Sequence, residues 1–260
     1  TMIRSMHTAL RALPAVTLFF LVSASGAGAR EGAVELEEAD VFFELNNTDG
    51  DLGIHAKLDG EPWKRIQIRN PWGRKQLKVS ARGQLGRQGI TELFFESAEP
   101  TFDELDPEEF FGRFPEGYYE ITGGTTEGQK LFGIDELTHL LPAPPENVTV
   151  SGVPAAEDCD ADPLPAVSTP VVIAWDPVTT SHPDLGRTDE PIEVVNQQVV
   201  LEREEPELLV LSVDLPPDAT SFEVPEDFTD LDSGDGFKFE ILIREDSGNQ
   251  TAIESCFELL

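Results

Sequence analysis

The sequence predicts an all-β protein: two β-sandwich domains in tandem, the first with one short helix, behind a cleaved signal peptide. Three observations carry this prediction. Short runs of alternating apolar and polar residues recur at roughly ten-residue spacing, as the strands of sandwiches and barrels do. Turn-forming Asn, Asp, Gly and Pro punctuate those runs. A stiff connector, Pro142-Ala143-Pro144-Pro145, separates a moderately acidic half from a very acidic one.

The first element is the export signal, residues 1–29. Arg4, His7 and Arg11 precede an apolar run from Ala12 to Val22, followed by small residues and by Ala27-Gly28-Ala29, the small-x-small pattern of a signal peptidase site. The run is shorter than the roughly 20 residues a membrane span needs. The mature chain is therefore expected to begin near Arg30 and to be secreted or periplasmic, with no transmembrane segment between Arg30 and Leu260.

The first domain, residues 30–142, reads as a sandwich of jelly-roll type. Its strands are expected at Val41 to Leu45, Leu52 to Leu58, Trp63 to Arg69, Gln76 to Ala81, Ile90 to Glu96, Tyr118 to Thr122 and Gln129 to Leu137. Asn46 to Gly50, Asp59-Gly60, Asn70 to Gly73 and Gly83 to Gly89 supply the turns. Asp106-Pro107-Glu108-Glu109 announces a helix, with an acidic N-cap and Pro at its first position. Phe110, Phe111 and Phe114 on that helix are spaced to cover one end of the sandwich.

In the second domain, residues 143–260, Pro144 to Val150 reads as an opening strand. Val171-Val172-Ile173-Ala174-Trp175-Asp176-Pro177-Val178 supplies a second strand with a core tryptophan, and Asn196 to Arg203 a third. Thr220 to Pro225, then Leu231, then the aromatic strand Phe237 to Ile243 complete the pattern. This half resembles a fibronectin type III module, an immunoglobulin-like sandwich. It departs from that family in having Phe237 at the usual tyrosine, no aromatic in the third strand and an acidic insertion around Cys159. The resemblance implies a presenting or adhesive role, and without an Arg-Gly-Asp sequence it implies no integrin binding. Cys159 and Cys256, the only two cysteines, are expected to pair, because an even count in an exported chain favours a disulfide. Closing so long a loop stabilises by roughly 4 to 5 kcal/mol in the chain-entropy model.

Charge narrows the function. The chain carries 50 acidic and 18 basic residues, for a net charge of −32. Residues 30–142 hold 12 of the bases and 23 of the acids, whereas residues 143–260 hold 4 and 27. Such a surface repels nucleic acid, which is excluded as a partner, and attracts divalent cations or basic partners; it also suits life in salty water. Nine cations fall between Lys57 and Arg87, a basic stretch on an acidic molecule. That stretch suits docking on the acidic half, an acidic polysaccharide, or head-to-tail self-association; solvated strand faces are the plain alternative.

No nucleophile elbow, zinc-protease helix, phosphate loop or paired zinc-ligand spacing occurs, and histidines are few. The expectation is a non-enzymatic binding or adhesion protein with a protein or polysaccharide partner. A calcium-assisted carbohydrate-binding module, a head-to-tail structural subunit and a polysaccharide hydrolase, which needs only two carboxylates, remain open beside it. For a ligand, the candidates are Trp72 in its loop, Tyr119 from the Tyr118-Tyr119 pair, and Arg69 and Arg74. For calcium, they are Asn47, Asp49 and Asp51, oxygen-bearing residues around Gly50; a self-capped hairpin turn accounts for the same residues. Asp230 to Asp235 poses the same alternative. Asn46, Asn147 and Asn249 begin glycosylation sequons.

Overall fold

A computed structural model describes residues 32–203, 208–229 and 236–260. The export signal, Leu231 and the Asp230 to Asp235 loop lie outside the described residues. Among those described, no helix is long and apolar enough to cross a membrane.

The fold is all-β. In the first half the strands are β1 (Ala33–Glu35), β2 (Glu38–Asn46), β3 (Asp51–Arg69), β4 (Lys75–Ser80), β5 (Ile90–Glu96), β6 (Gly117–Thr125) and β7 (Lys130–Leu137). Two short helices interrupt them, α1 (Leu85–Gln88) and α2 (Pro107–Arg113). The second half adds β8 (Thr149–Val150), β9 (Val153–Pro154), β10 (Ala166–Val167), β11 (Val172–Ala174), β12 (Val194–Arg203), β13 (Leu209–Leu215), β14 (Ser221–Glu223), α3 (Glu226–Thr229), β15 (Gly236–Glu245) and β16 (Gln250–Leu259).

Two hydrophobic clusters hold these strands. Phe43, Leu45, Leu58, Trp63, Ile66, Tyr119 and Ile121 fill the first, with Phe110 and Phe111 of α2 packed edge-on to Phe43. The helix forms as its sequence requires: the Asp106 carboxylate accepts the Glu108 N–H, and Pro107 opens the first turn. The second cluster lies between the four-stranded sheet β14-β11-β8-β9 and the β12-β15-β16 part of a twelve-stranded sheet. Trp175, Phe237, Phe239 and Phe257 fill it, and the Trp175 indole N–H donates to Gln197.

The twelve-stranded sheet runs through both halves, because β2 pairs in parallel with β16. Asn249 secures that join: its amide oxygen accepts the Phe43 N–H, and its amide nitrogen donates to the carbonyls of Thr138 and Leu140. Asn249 is fully buried, so its sequon is closed to a glycan. Cys159 and Cys256 form the expected disulfide, with Cα atoms 4.9 Å apart.

Several local expectations are corrected. Asp59-Gly60 is not a hairpin turn but the interior of the 19-residue β3. The Asp59 carboxylate accepts the Gly60 N–H there, and the ladder to β5 shifts register between Asp59 and Trp63. That irregularity lets one strand serve two sets of partners, β2 and β5 along its first part, β4 and β6 along its second. The Gly83 to Gly89 stretch contains the single helical turn α1. Of the strand expected from Val171 to Val178, only Val172–Ala174 pairs. Strands β13 and β16 have no counterpart among the expected elements.

A cationic sheet face as the candidate functional site

The second part of β3 carries buried Trp63, Ile66 and Ile68 in alternation with Arg65, Gln67 and Arg69, so the latter three project from the opposite face. Register then assembles that face. Arg65 lies opposite Ser80 on β4 and Gly124 on β6, and Gly124 opposite Lys130 on β7. In the next row, Gln67 lies between Lys78 and Thr122; in the one after, Arg69 lies between Lys75 and Glu120. Arg65, Gln67, Lys78, Thr122, Gly123 and Lys130 line a concavity of about 380 Å³. Gly123 lines it, and Gly124 lies beside it. A Cβ on Gly123 would meet the Arg65 carbonyl at 2.7 Å, whereas one on Gly124 would reach only the Gln129 carbonyl, at 3.8 Å, so in that row no side chain stands between Arg65 and Lys130.

No carboxylate lies within ion-pair distance of Arg65, Lys78 or Lys130 among the described residues, in a chain with 50 acids. Two acids share the face: Glu120, opposite Arg69, and Glu136, which accepts the Tyr118 hydroxyl in a bond that raises the phenol above its ordinary value.

At one end of the face stands the β3–β4 turn. The Asn70 side-chain oxygen accepts the N–H groups of Trp72 and Arg74, and Gly73 takes a positive φ of 73°. This holds the Trp72 ring 61% exposed, with the Arg74 guanidinium 5.4 Å from its centre. Arg69 donates to the Gly73 carbonyl and so stiffens the same turn. Of the candidate ligand residues, the structure brings Trp72, Arg69 and Arg74 together. Tyr119 is not among them: it is fully buried, and its hydroxyl donates to the Pro115 carbonyl. Tyr118 is the exposed partner, at 59%. Alternation places one ring of the pair inside, and Tyr119 shares its face with buried Ile121. The signal for Lys130 does not exist in the sequence, since only strand register brings it beside Arg65.

The Asn46 to Asp51 loop is a turn of the same construction. The Asn46 oxygen accepts from Thr48 and Asp49 N–H, its amide nitrogen donates to the Asp49 carboxylate, and Gly50 has φ 65°. The Asn47 oxygen pairs with the His182 ring, so the calcium reading rests on Asp49 and Asp51. Burial, then Glu99 and Asp49, push Asp51 up to about 6. Among the described residues, no group of three or more His, Cys, Asp or Glu stands in an arrangement able to hold a metal ion.

A larger cleft of about 530 Å³ lies beside α2, lined by Phe111, Glu116, His139 and Arg187 among others. Its groups are committed. His139 stacks on Phe111 at 4.5 Å and bonds the Phe114 carbonyl, and Arg187 pairs with Glu190.

No family model and no curated protein matches the sequence. Among solved structures, the chain is similar to the FN1–FN3 domains of chicken CNTN1, at 12% identity over 87% of this chain and 65% of that one, with a TM-score of 0.33. It is also similar to a tetra-tandem repeat in the extending region of a large adhesion protein, at 13% identity over 85% and 49%, with a TM-score of 0.28. A third is the BSP domain of a biofilm associated protein, at 13% identity over 86% and 29%, with a TM-score of 0.25. The chain spans less than two thirds of each of these.

Proposed function

We propose that this chain is a non-enzymatic binding protein of the adhesion type, exported to the cell exterior or periplasm, whose first half recognises a partner that the second half presents. The observation that carries this reading is the concavity of Arg65, Lys78 and Lys130, three cations without carboxylate partners among the described residues. A concavity that gathers three cations focuses field on whatever enters. The disulfide fits an oxidising compartment. The three histidines within the described residues hold structure: His55 bonds Glu99, His139 the Phe114 carbonyl and His182 Asn47.

The test is retention of the purified chain on surfaces bearing acidic polysaccharides, neutral polysaccharides, and acidic and basic proteins, with soluble products assayed in parallel. The reading predicts salt-sensitive retention without product, weakened by Arg65→Gln. Release of oligosaccharide or peptide would overturn it in favour of a hydrolase.

A further inference from the structure

The geometry points to an acidic polysaccharide, one bearing carboxylate or sulfate groups, as the ligand of the concave face formed by β3, β4, β6 and β7. This deepens the binding reading above and rests on it. The face offers three chemistries together. Arg65, Lys78 and Lys130 supply charge at separations set by the sheet: Lys78 sits one strand from the Arg65 strand and Lys130 two, which is about 5 and 10 Å. Such gaps suit anionic groups spread along a chain of sugars rather than packed side by side.

Between the cations stand neutral hydrogen-bonding groups, Gln67 and Thr122, directly opposite each other. Sugar hydroxyls use such groups. On the same sheet, beyond the Arg69–Glu120 row, stand two exposed rings, Trp72 and Tyr118, whose apolar faces suit the ring faces of sugars. The two rings are neighbours through the backbone, because Pro71 of the turn packs against Gly117 at the start of β6.

Gly124 puts no side chain between Arg65 and Lys130, which lets a sugar ring lie against the sheet there. The net charge of −32 does not forbid a polyanion at this place. Exposed charges farther off than roughly 8 Å are largely screened at physiological salt, so the local balance decides, with Arg65, Lys78, Lys130 and Arg69 outnumbering Glu120. An acidic protein segment, such as the second half of another copy, would satisfy the cations too, and the experiment separates the two.

The experiment titrates the purified chain at low salt with a polyuronate, with neutral dextran and with poly-glutamate, and follows self-association by sedimentation. Two variants accompany the wild type, the triple Arg65→Gln, Lys78→Gln, Lys130→Gln and the charge-preserving Gly124→Leu; Arg113→Gln on α2 is the control. Circular dichroism confirms that each folds. The inference predicts polyuronate binding above poly-glutamate and no dextran binding. The triple variant should weaken polyuronate by roughly tenfold or more. Gly124→Leu should weaken it with all charges in place, and Arg113→Gln should leave it unchanged. Poly-glutamate binding as tightly as polyuronate, indifferent to Gly124→Leu, would overturn the inference and leave the face as a recogniser of acidic protein. Self-association lost only in the triple variant, without polyuronate binding, would overturn it in favour of a second copy. If no surface or polymer distinguishes the triple variant from wild type, the inference and the binding reading fall together.

Discussion

Two turns of the first half share one backbone design and carry opposite electrostatics. In the Asn46 to Asp51 turn and the Asn70 to Arg74 turn alike, an Asn oxygen accepts two backbone N–H groups and a glycine with positive φ completes the reversal. The first turn gathers carboxylates, with Asp51 crowded by Glu99 and Asp49. The second gathers Arg69, Arg74 and an exposed indole, and leads onto the cationic face. Turn chemistry therefore sets where the chain reverses, and the residues riding on it set what that corner does.

The sharpest way to break the comparison is to remove the shared cap. Asn70 is buried, whereas Asn46 is only partly so, so Asn70→Ala should destabilise by about 2 kcal/mol and Asn46→Ala by about 1 kcal/mol. Chemical denaturation measures both, and equal losses would mean that the two caps are equivalent. Next come the glycines. Gly73→Ala should cost about 1.5 kcal/mol for the left-handed backbone. Gly50→Ala should cost less, because its new methyl would lie 3.4 Å from the Phe102 ring and regain some contact.

The third prediction has the opposite sign. Asp51 has a folded value of about 6 against an ordinary 3.8, so the folded state holds its proton more tightly than the unfolded state. Its stabilising contribution is full below about pH 4 and is lost as pH rises through 6. Asp51→Asn, which keeps an oxygen for the hydrogen bond from Asn46, should raise stability at pH 7 by about 1 kcal/mol once solvent screening at this half-exposed site is allowed for. It should also flatten the profile between those values. An unaltered profile would mean that the carboxylates of the first turn are not crowded. The smallest stability effect belongs to Trp72→Ala, within about 0.5 kcal/mol because the ring is exposed; the same variant should weaken retention on an acidic polysaccharide.

Some of this is legible in the sequence for physical reasons. Asn-Pro-Trp-Gly reads as a turn, but a ring folded back onto its hairpin fits that sequence as well as an exposed one, and it is the structure that leaves Trp72 exposed. Asp106-Pro107-Glu108 carries its own capping chemistry, which marks α2 together with its N-cap. Asp59-Gly60 misleads because a bulge and a turn draw on the same residues, and only the tertiary partners of β3 tell them apart. Tyr118 and Tyr119 can be sorted by following alternation to Ile121. The β2–β16 pairing and the approach of Lys130 to Arg65 are beyond any local reading, since both arise from strands distant in the chain.

The most direct test is to map binding residue by residue, titrating an isotope-labelled chain with an acidic oligosaccharide and following backbone amide resonances. The account predicts shifts centred on Arg65, Gln67, Thr122, Gly124 and Lys130 and reaching Trp72, with the Asn46 to Asp51 turn unmoved. Shifts centred instead on the cleft around His139 and Arg187, or on the strands of the second half, would contradict it.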